Sequence, residues 1–274
     1  MSTSLSFPRV LILPVGVTQL WHSFEPRLRD TTVFLFVLLG AMLLLATIDD
    51  RTLYGVNVWS KPSKFALSFG VQLGTLSILW RALPSAYQKS WGASAIVRTL
   101  ILMSVLEVGY IAARAAAGLP SHFAEDTTLA FIAYNLMGVG ASTVVLLTAW
   151  LGVRVLKEQG YREPLRLSIG LGLILSGLLG LVTGVALAIN NGSLVGIPSP
   201  NAAVWPLFGW SRELGDLRPA HFLGQHAMQI LPLLGLFVMG WKTAAANGLI
   251  WGAGLVLTIA TIGLIVLAFA GIPL

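Results

Sequence analysis

The sequence contains no cysteine. Disulfides, thiolate metal sites, iron–sulfur clusters and catalytic cysteines are therefore excluded, and any metal or haem would depend on histidine or carboxylate ligands. Charged residues are also scarce, at 10% of 274 residues, whereas hydrophobic residues make up 56% and the mean hydropathy is +0.82. Soluble globular proteins do not have this composition. The sequence predicts an all-α, polytopic integral membrane protein.

Several well-known functional motifs are absent as well. The chain has no phosphate-binding Gly-rich loop followed by Lys and Ser or Thr, no HExxH, no GxSxG, and no lysine deep in its last apolar segment. ATP-driven pumps, zincins and rhodopsins are therefore excluded. The net charge of +6 does not indicate nucleic-acid binding, because the basic residues are spread over short loops and form no basic domain.

Seven apolar segments have the length of membrane-spanning helices. They cover residues 31–48, 61–83, 93–117, 127–155, 165–190, 219–241 and 245–271. In residues 1–30 the apolar run is short and interrupted, so we expect a retained interfacial segment there and no signal peptide. The sequence thus predicts one seven-helix transmembrane domain over residues 31–274. Its long loop, residues 191–218, suits either a lid or a plain interfacial connection.

The distribution of positive charge predicts the orientation of these segments. With a cytoplasmic amino terminus, eleven of the 17 Lys and Arg residues belong to the cytoplasmic side: Arg9, Arg27, Arg29, Arg81, Lys89, Arg98, Arg154, Lys157, Arg162, Arg166 and Lys242. The positive-inside rule favours this arrangement. The carboxyl terminus and three histidines, His122, His221 and His226, then face the extracytoplasmic side.

The sixth segment begins with a concentrated set of polar residues, GDLRPAHFLGQHAMQ from Gly215. On an ideal helix its polar side chains share one arc of roughly 140°. This pattern predicts a functional site in the outer half of the helix. His221 and His226 are five residues apart and do not match the i, i+4 geometry of a helical zinc pair.

Ionisable residues also lie on other predicted spans. Glu107 falls near the middle of the third segment, with Arg114 two turns later on the same face. An ionisable group in hydrocarbon costs about 2.5 to 3.5 kcal/mol on insertion scales, so Glu107 should contact a partner or water. Arg114 and His226 are candidate partners. Lys64, near the outer end of the second segment, fits either a polar site or a side chain that extends to the membrane surface.

These residues suggest a redox protein or enzyme that acts on a lipophilic small molecule. We expect His122 and His221 to ligate haem b or a divalent metal, because imidazole is a common ligand for both. Glu107 and His226 would act as catalytic acid–base groups. Anionic groups such as haem propionates would pair with Lys64, Arg114 and Arg218.

Two other function classes fit the same residues. A transporter or sensor would use the polar stripes to line a path for a small solute or protons, without a cofactor. An assembly partner would use its buried polar groups only to specify packing. The sequence leaves this choice, and the oligomeric state, open.

Three motifs carry a resemblance to a known family. KPSKFALS from Lys61, PSHF from Pro120 and GWSRELGDLRPAHFLGQHAMQILPLLG from Gly209 resemble the motifs of an uncharacterised family of bacterial polytopic membrane proteins. The resemblance extends over most of the chain. It implies a bacterial inner membrane and carries no catalytic or cofactor assignment.

Overall fold

The structure, a computed structural model, describes Trp21 and residues 23–123, 127–157, 163–199, 202–206 and 208–274. Residues 1–20, most of the predicted interfacial segment, lie outside the described residues. The described chain is mostly helical, which confirms the helical prediction. It divides into two compact units, Met1–Val144 and Val145–Leu274.

Helices make up most of both units. In chain order they are α1 (Pro26–Ile48), α2 (Ser60–Leu79), α3 (Ser85–Gln88), α4 (Trp91–Ala116), α5 (Thr128–Leu156), α6 (Pro164–Ile189), α7 (Arg218–Gln225), α8 (Ala227–Phe237) and α9 (Thr243–Phe269). Two antiparallel strand pairs accompany them: β1 (Thr52–Leu53) with β2 (Val56–Asn57), and β3 (Leu194–Val195) with β4 (Gly215–Asp216).

In the part of the chain that the structure describes, five helices are long and apolar enough to cross a membrane: α1, α4, α5, α6 and α9. They support a multi-pass protein embedded in a lipid bilayer. The other two predicted spans differ from this pattern. Helix α2 has 20 residues, but a polar stripe makes it less apolar than the five; the stripe comprises Lys61, Lys64, Ser68, Gln72 and Thr75. The predicted sixth span is interrupted at His226, which separates α7 from α8.

In the first unit, α2 packs against both α1 and α4. The β1–β2 hairpin joins α1 to α2 through Tyr54 and Gly55, whose φ values of 52° and 76° suit a two-residue hairpin turn. The carboxylate of Glu25 caps α1 by accepting from the backbone N–H of Leu28 at 2.8 Å. Its carbonyl oxygen accepts from Ser77 Oγ at 2.8 Å. The start of α1 is thereby tied to the end of α2.

In the second unit, α7, α8 and α9 all pack against α6. Glycines permit the closest approaches: a Cβ added to Gly172 would lie 2.8 Å from the carbonyl oxygen of Ala227 on α8. A Cβ added to Gly177 would lie 2.4 Å from the carbonyl oxygen of Val145 on α5. Small residues at helix interfaces are typical of membrane bundles, where packing replaces the hydrophobic effect between helices.

The long loop between α6 and α7 is folded against the second unit. Its two ends pair as β3 and β4, and Val204 forms a further antiparallel bridge with Ser211. Trp205 Nε1 donates to the carbonyl oxygen of Leu274 at 3.1 Å. Gly215 packs directly against the backbone of Ala268, leaving no space for a side chain. These contacts anchor the loop to the end of α9.

Replacing Gly177 with Ala should destabilise the second unit, because the added methyl group would lie 2.4 Å from the Val145 carbonyl oxygen and 2.6 Å from Cβ of Ala149. Overpacking of this kind costs about 1 to 3 kcal/mol, so we expect a lower Tm in detergent. Gly184→Ala is the matched control on the same helix, because nothing lies within 4 Å of its added Cβ. It should be neutral or slightly stabilising. Equal Tm values for the two variants would contradict the close contact between α5 and α6.

Candidate functional site

Glu107 is the centre of a polar cluster in the first unit. It lies on the buried face of α4 and is only 5% exposed. Its Oε1 is 3.9 Å from Nε2 of His122, and its Oε2 has no hydrogen-bond partner. Lys61, in the first turn of α2, is close enough to interact electrostatically with Glu107. Two helices and a loop thus bring a carboxyl, an imidazole and an ammonium group together.

The imidazole of His122 is enclosed by aromatic rings. The centroid distances to these rings are 5.2 Å for Phe65, 5.9 Å for Tyr134 and 6.4 Å for Phe123. Burial, and after it the positive charge of Lys61, lowers the pKa of His122 to about 3. The ring is therefore neutral near pH 7. Its contact with Glu107 is consequently not an ion pair at that pH.

Two further buried groups of the first unit lack hydrogen-bond partners. They are the hydroxyl of Ser63, in the first turn of α2, and the hydroxyl of Tyr110, one turn after Glu107 on α4. Together with Oε2 of Glu107 they account for three of the six such side-chain atoms found among the described residues. Each unpaired buried polar group costs about 1 to 3 kcal/mol. This concentration on two neighbouring helices indicates a place where a ligand or water would be accommodated.

Arg114 and Lys64, the predicted partners for anionic groups in the first unit, have different surroundings. Arg114 donates from Nε to the carbonyl oxygen of Pro120 at 2.8 Å and so orders the loop that carries His122. Lys64 is exposed in the first turn of α2. The immediate neighbour of Glu107 is His122, a pairing that we did not predict from the sequence.

In the second unit, Asp216 connects the long loop to the start of α7. Its carboxylate is buried and accepts from the backbone N–H groups of Ser211 at 2.9 Å and Arg218 at 3.0 Å. Nε of Arg218 donates to the same carboxylate at 2.9 Å, and Nη2 donates to the carbonyl oxygen of Gly209 at 2.7 Å. Arg218, predicted as a partner for an anionic cofactor group, is thus engaged by Asp216 within the protein.

His221 is held by a hydrogen bond to α6. Its Nδ1 lies 2.8 Å from the hydroxyl oxygen of Thr183, and that hydroxyl lies 2.7 Å from the carbonyl oxygen of Leu179. When the hydroxyl donates to Leu179, Nδ1–H of His221 donates to Thr183. Nε2 of a neutral ring is then unprotonated, the form that accepts a hydrogen bond or ligates a metal.

His226 shows a similar arrangement at the junction of α7 and α8. Its ring packs on Phe222 with a centroid distance of 4.1 Å, and Nδ1 lies 3.2 Å from the amide oxygen of Gln229. This oxygen accepts, so Nδ1 carries the proton and Nε2 is unprotonated in the neutral ring. The amide oxygen of Gln229 and the ring of Phe222 therefore fix the orientation of His226.

The predicted ligands His122 and His221 belong to different units, so their convergence on one centre stays a prediction, as does a contact between Glu107 and His226. Within the described ranges, no group of three or more His, Asp or Glu side chains is arranged to hold a metal ion. Comparison with protein-family models, curated proteins and solved structures gives no match for this chain. The functional argument therefore depends on the geometry of each unit.

Acidification should destabilise the protein through His122. Its pKa is about 3 in the folded state against 6.5 for an unperturbed histidine, so between these values the unfolded state binds more protons. The contribution of His122 to the free energy of unfolding is complete above about pH 6.5, and it falls as the pH is lowered towards 3. We expect a loss of about 2 kcal/mol between pH 7 and pH 5. Thermal unfolding in detergent at both values should show a smaller loss for His122→Gln, and an equal loss would contradict the neutral, buried imidazole.

Proposed function

We propose that this protein is a proton-coupled transporter of a small solute in a bacterial inner membrane, with Glu107 as the group that binds and releases the proton. The observation that supports this proposal is the environment of the Glu107 carboxyl: it is 5% exposed, has one oxygen beside a neutral imidazole and has the other oxygen unpaired. Intramembrane carboxyl groups in such surroundings commonly belong to proton or ion paths. When Glu107 gains or loses a proton, Lys61 or the solute compensates the change in charge. Proton binding and solute binding are thereby coupled.

The proposed topology has seven crossings. Five are the long apolar helices, and α2 together with the α7–α8 pair supplies the other two. Helix α2 contains 20 residues and reaches about 30 Å, which matches the hydrocarbon thickness. Residues 218–237 reach a similar length across the interruption at His226. Helix α2 is compatible with a crossing because Lys61 and Lys64 are confined to its start, where long side chains extend to the membrane surface, and its buried face packs within the first unit.

Reporter fusions test this topology and its orientation. The positive-inside rule places the amino terminus in the cytoplasm, so fusions after Leu274 and within the loop at Ser199 should both report an extracytoplasmic position. A fusion at Lys242, between α8 and α9, should report a cytoplasmic one. A cytoplasmic signal at Leu274 or Ser199 would contradict the orientation and would place the Glu107 cluster in the opposite half of the membrane.

A second candidate function is a haem- or metal-dependent redox enzyme that acts on a lipophilic substrate. The observation that favours it is the hydrogen bonding of His221 and His226: Nδ1 lies 2.8 Å from the Thr183 hydroxyl in one ring and 3.2 Å from the Gln229 amide oxygen in the other, which leaves Nε2 of each ring for a ligand. Histidine ligands characteristically have this arrangement. A visible absorption spectrum and a metal analysis of the purified protein separate the two functions. Stoichiometric haem or metal that is lost in His221→Ala would favour the enzyme.

Replacing Glu107 with Gln should abolish solute-coupled proton movement, because an amide cannot exchange the proton. The measurement is the proton uptake of proteoliposomes that enclose a pH-sensitive dye, after jumps to a panel of small solutes, because this readout detects proton movement whether or not net charge moves. A solute of the wild-type protein should drive proton uptake that is absent in the variant. Glu213→Gln, a matched substitution of an exposed carboxylate in the long loop, should retain the proton uptake. Normal proton uptake by Glu107→Gln would reduce Glu107 to an architectural role.

A further inference from the structure

Two buried hydroxyls without hydrogen-bond partners lie on α4, the helix that carries Glu107, and on its neighbour α2. The hydroxyls of Ser63 and Tyr110 are buried and unpaired, and each can donate one hydrogen bond. Oε2 of Glu107 is also unpaired and can donate only when the carboxyl is protonated. Because α2 packs against α4, these groups belong to one region of the first unit. With Glu107 protonated, the region offers three donors to a ligand that can only accept.

Positive charge from α2 faces the same region. Lys61 and Ser63 lie in the first turn of this helix, where the helix dipole favours a negative charge. The ammonium of Lys61 interacts electrostatically with both Glu107 and His122. The ring of Phe65, one turn further along α2, lies 5.2 Å from the ring of His122. The start of α2 is thus linked to Glu107 by the charge of Lys61 and to His122 by the ring of Phe65.

The charge of the region depends on the proton of Glu107. Lys61 on α2 interacts electrostatically with Glu107, and the nearest imidazole, His122 in the loop after α4, is neutral near pH 7. Ionisable side chains on the elements packed around these groups are Lys64 on α2, Tyr110 and Arg114 on α4, Tyr134 on α5, and Asp49, Asp50 and Arg51 after α1, of which Asp49 pairs with Arg51. With Glu107 ionised, its charge offsets that of Lys61. With Glu107 protonated, the positive charge of Lys61 is uncompensated.

From these observations we infer that the Glu107 cluster binds a small monovalent anion, either a halide or a short carboxylate, together with a proton. The inference rests on the proposed function and names its solute. A proton adds to the carboxylate of Glu107, and the resulting O–H donates to the anion, as do the hydroxyls of Ser63 and Tyr110 and the ammonium of Lys61. The added proton and the anion cancel in charge, so the loaded site is no more charged than the empty one. Proton binding therefore favours anion binding, and the anion favours the proton to the same extent.

Thermal stability of the full-length protein in neutral detergent tests the site. Chloride and L-lactate, added against a background of gluconate, should raise the Tm, and the rise should be larger at acidic than at alkaline pH. Glu107→Gln keeps a neutral side chain at this position, so its Tm should rise equally at both pH values. Ser63→Ala and Tyr110→Phe should each weaken the apparent anion affinity by about tenfold or more, as expected for a hydrogen bond to a charged group.

These two substitutions are unlike most changes at buried polar groups. Because the hydroxyls have no partner in the protein, their removal should leave the Tm without added anion unchanged or higher. Ser104→Ala is the matched control: Ser104 is fully buried on α4, but its hydroxyl donates to Leu100 at 2.8 Å, so the anion response should persist. Wild-type protein without any anion-dependent Tm rise would overturn the inference. Wild-type anion affinity in both Ser63→Ala and Tyr110→Phe would do the same.

Three outcomes distinguish this inference from the proposed function. Glu107-dependent proton uptake driven by another class of solute, without any anion effect on Tm, supports transport and overturns the anion site. An anion effect that requires Ser63 and Tyr110, without proton uptake driven by chloride or lactate, supports the site and overturns transport. A Tm rise with phosphatidylglycerol but with neither free anion would assign the donors to a lipid headgroup and would overturn a small anion as the ligand.

Discussion

The absence of water from the hydrocarbon core is the constraint on which this structure depends. Each polar group that enters the membrane has to find a partner inside the protein or leave an energetic deficit. Most polar side chains find a partner inside the protein. Thr183, for example, forms hydrogen bonds with its own helix and with His221. Ser63, Glu107 and Tyr110 retain unpaired atoms, although a few apolar substitutions would remove the deficit. Because these residues lie on two packed helices, we connect their unpaired polar atoms with the binding of a ligand.

Helix α2 is less apolar than its neighbours because its start carries charge. Its buried side chains, among them Ser63 and Ala66, face the protein, and the helix packs against both α1 and α4. Lys61 and Lys64, close to the hairpin that joins α1 to α2, are exposed. Long lysine side chains at a helix end can extend to the membrane surface, so the rest of the helix remains membrane-compatible. The charge of Lys61 still acts on the buried carboxyl of Glu107.

Sequence reasoning identified the helical segments and Glu107, because apolar length and an ionisable group in hydrocarbon are visible in one dimension. It did not pair Glu107 with His122, since a loop histidine has no periodicity that shows where its ring points. Ser63 and Thr183 were also missed. Serine and threonine in apolar helices usually bond to the preceding turn, so their type alone does not distinguish a bound hydroxyl from an unpaired one. Only the three-dimensional partners separate the two cases.

The interruption between α7 and α8 was not predicted either, because apolar periodicity continues through it. Pro232 cannot donate to the carbonyl oxygen of Met228, in the turn that follows His226. At the same level Gly172 allows α6 to approach the carbonyl oxygen of Ala227 closely. Thr183 orients one ring and Gln229 the other, so the two histidines can serve separate roles although they are only five residues apart.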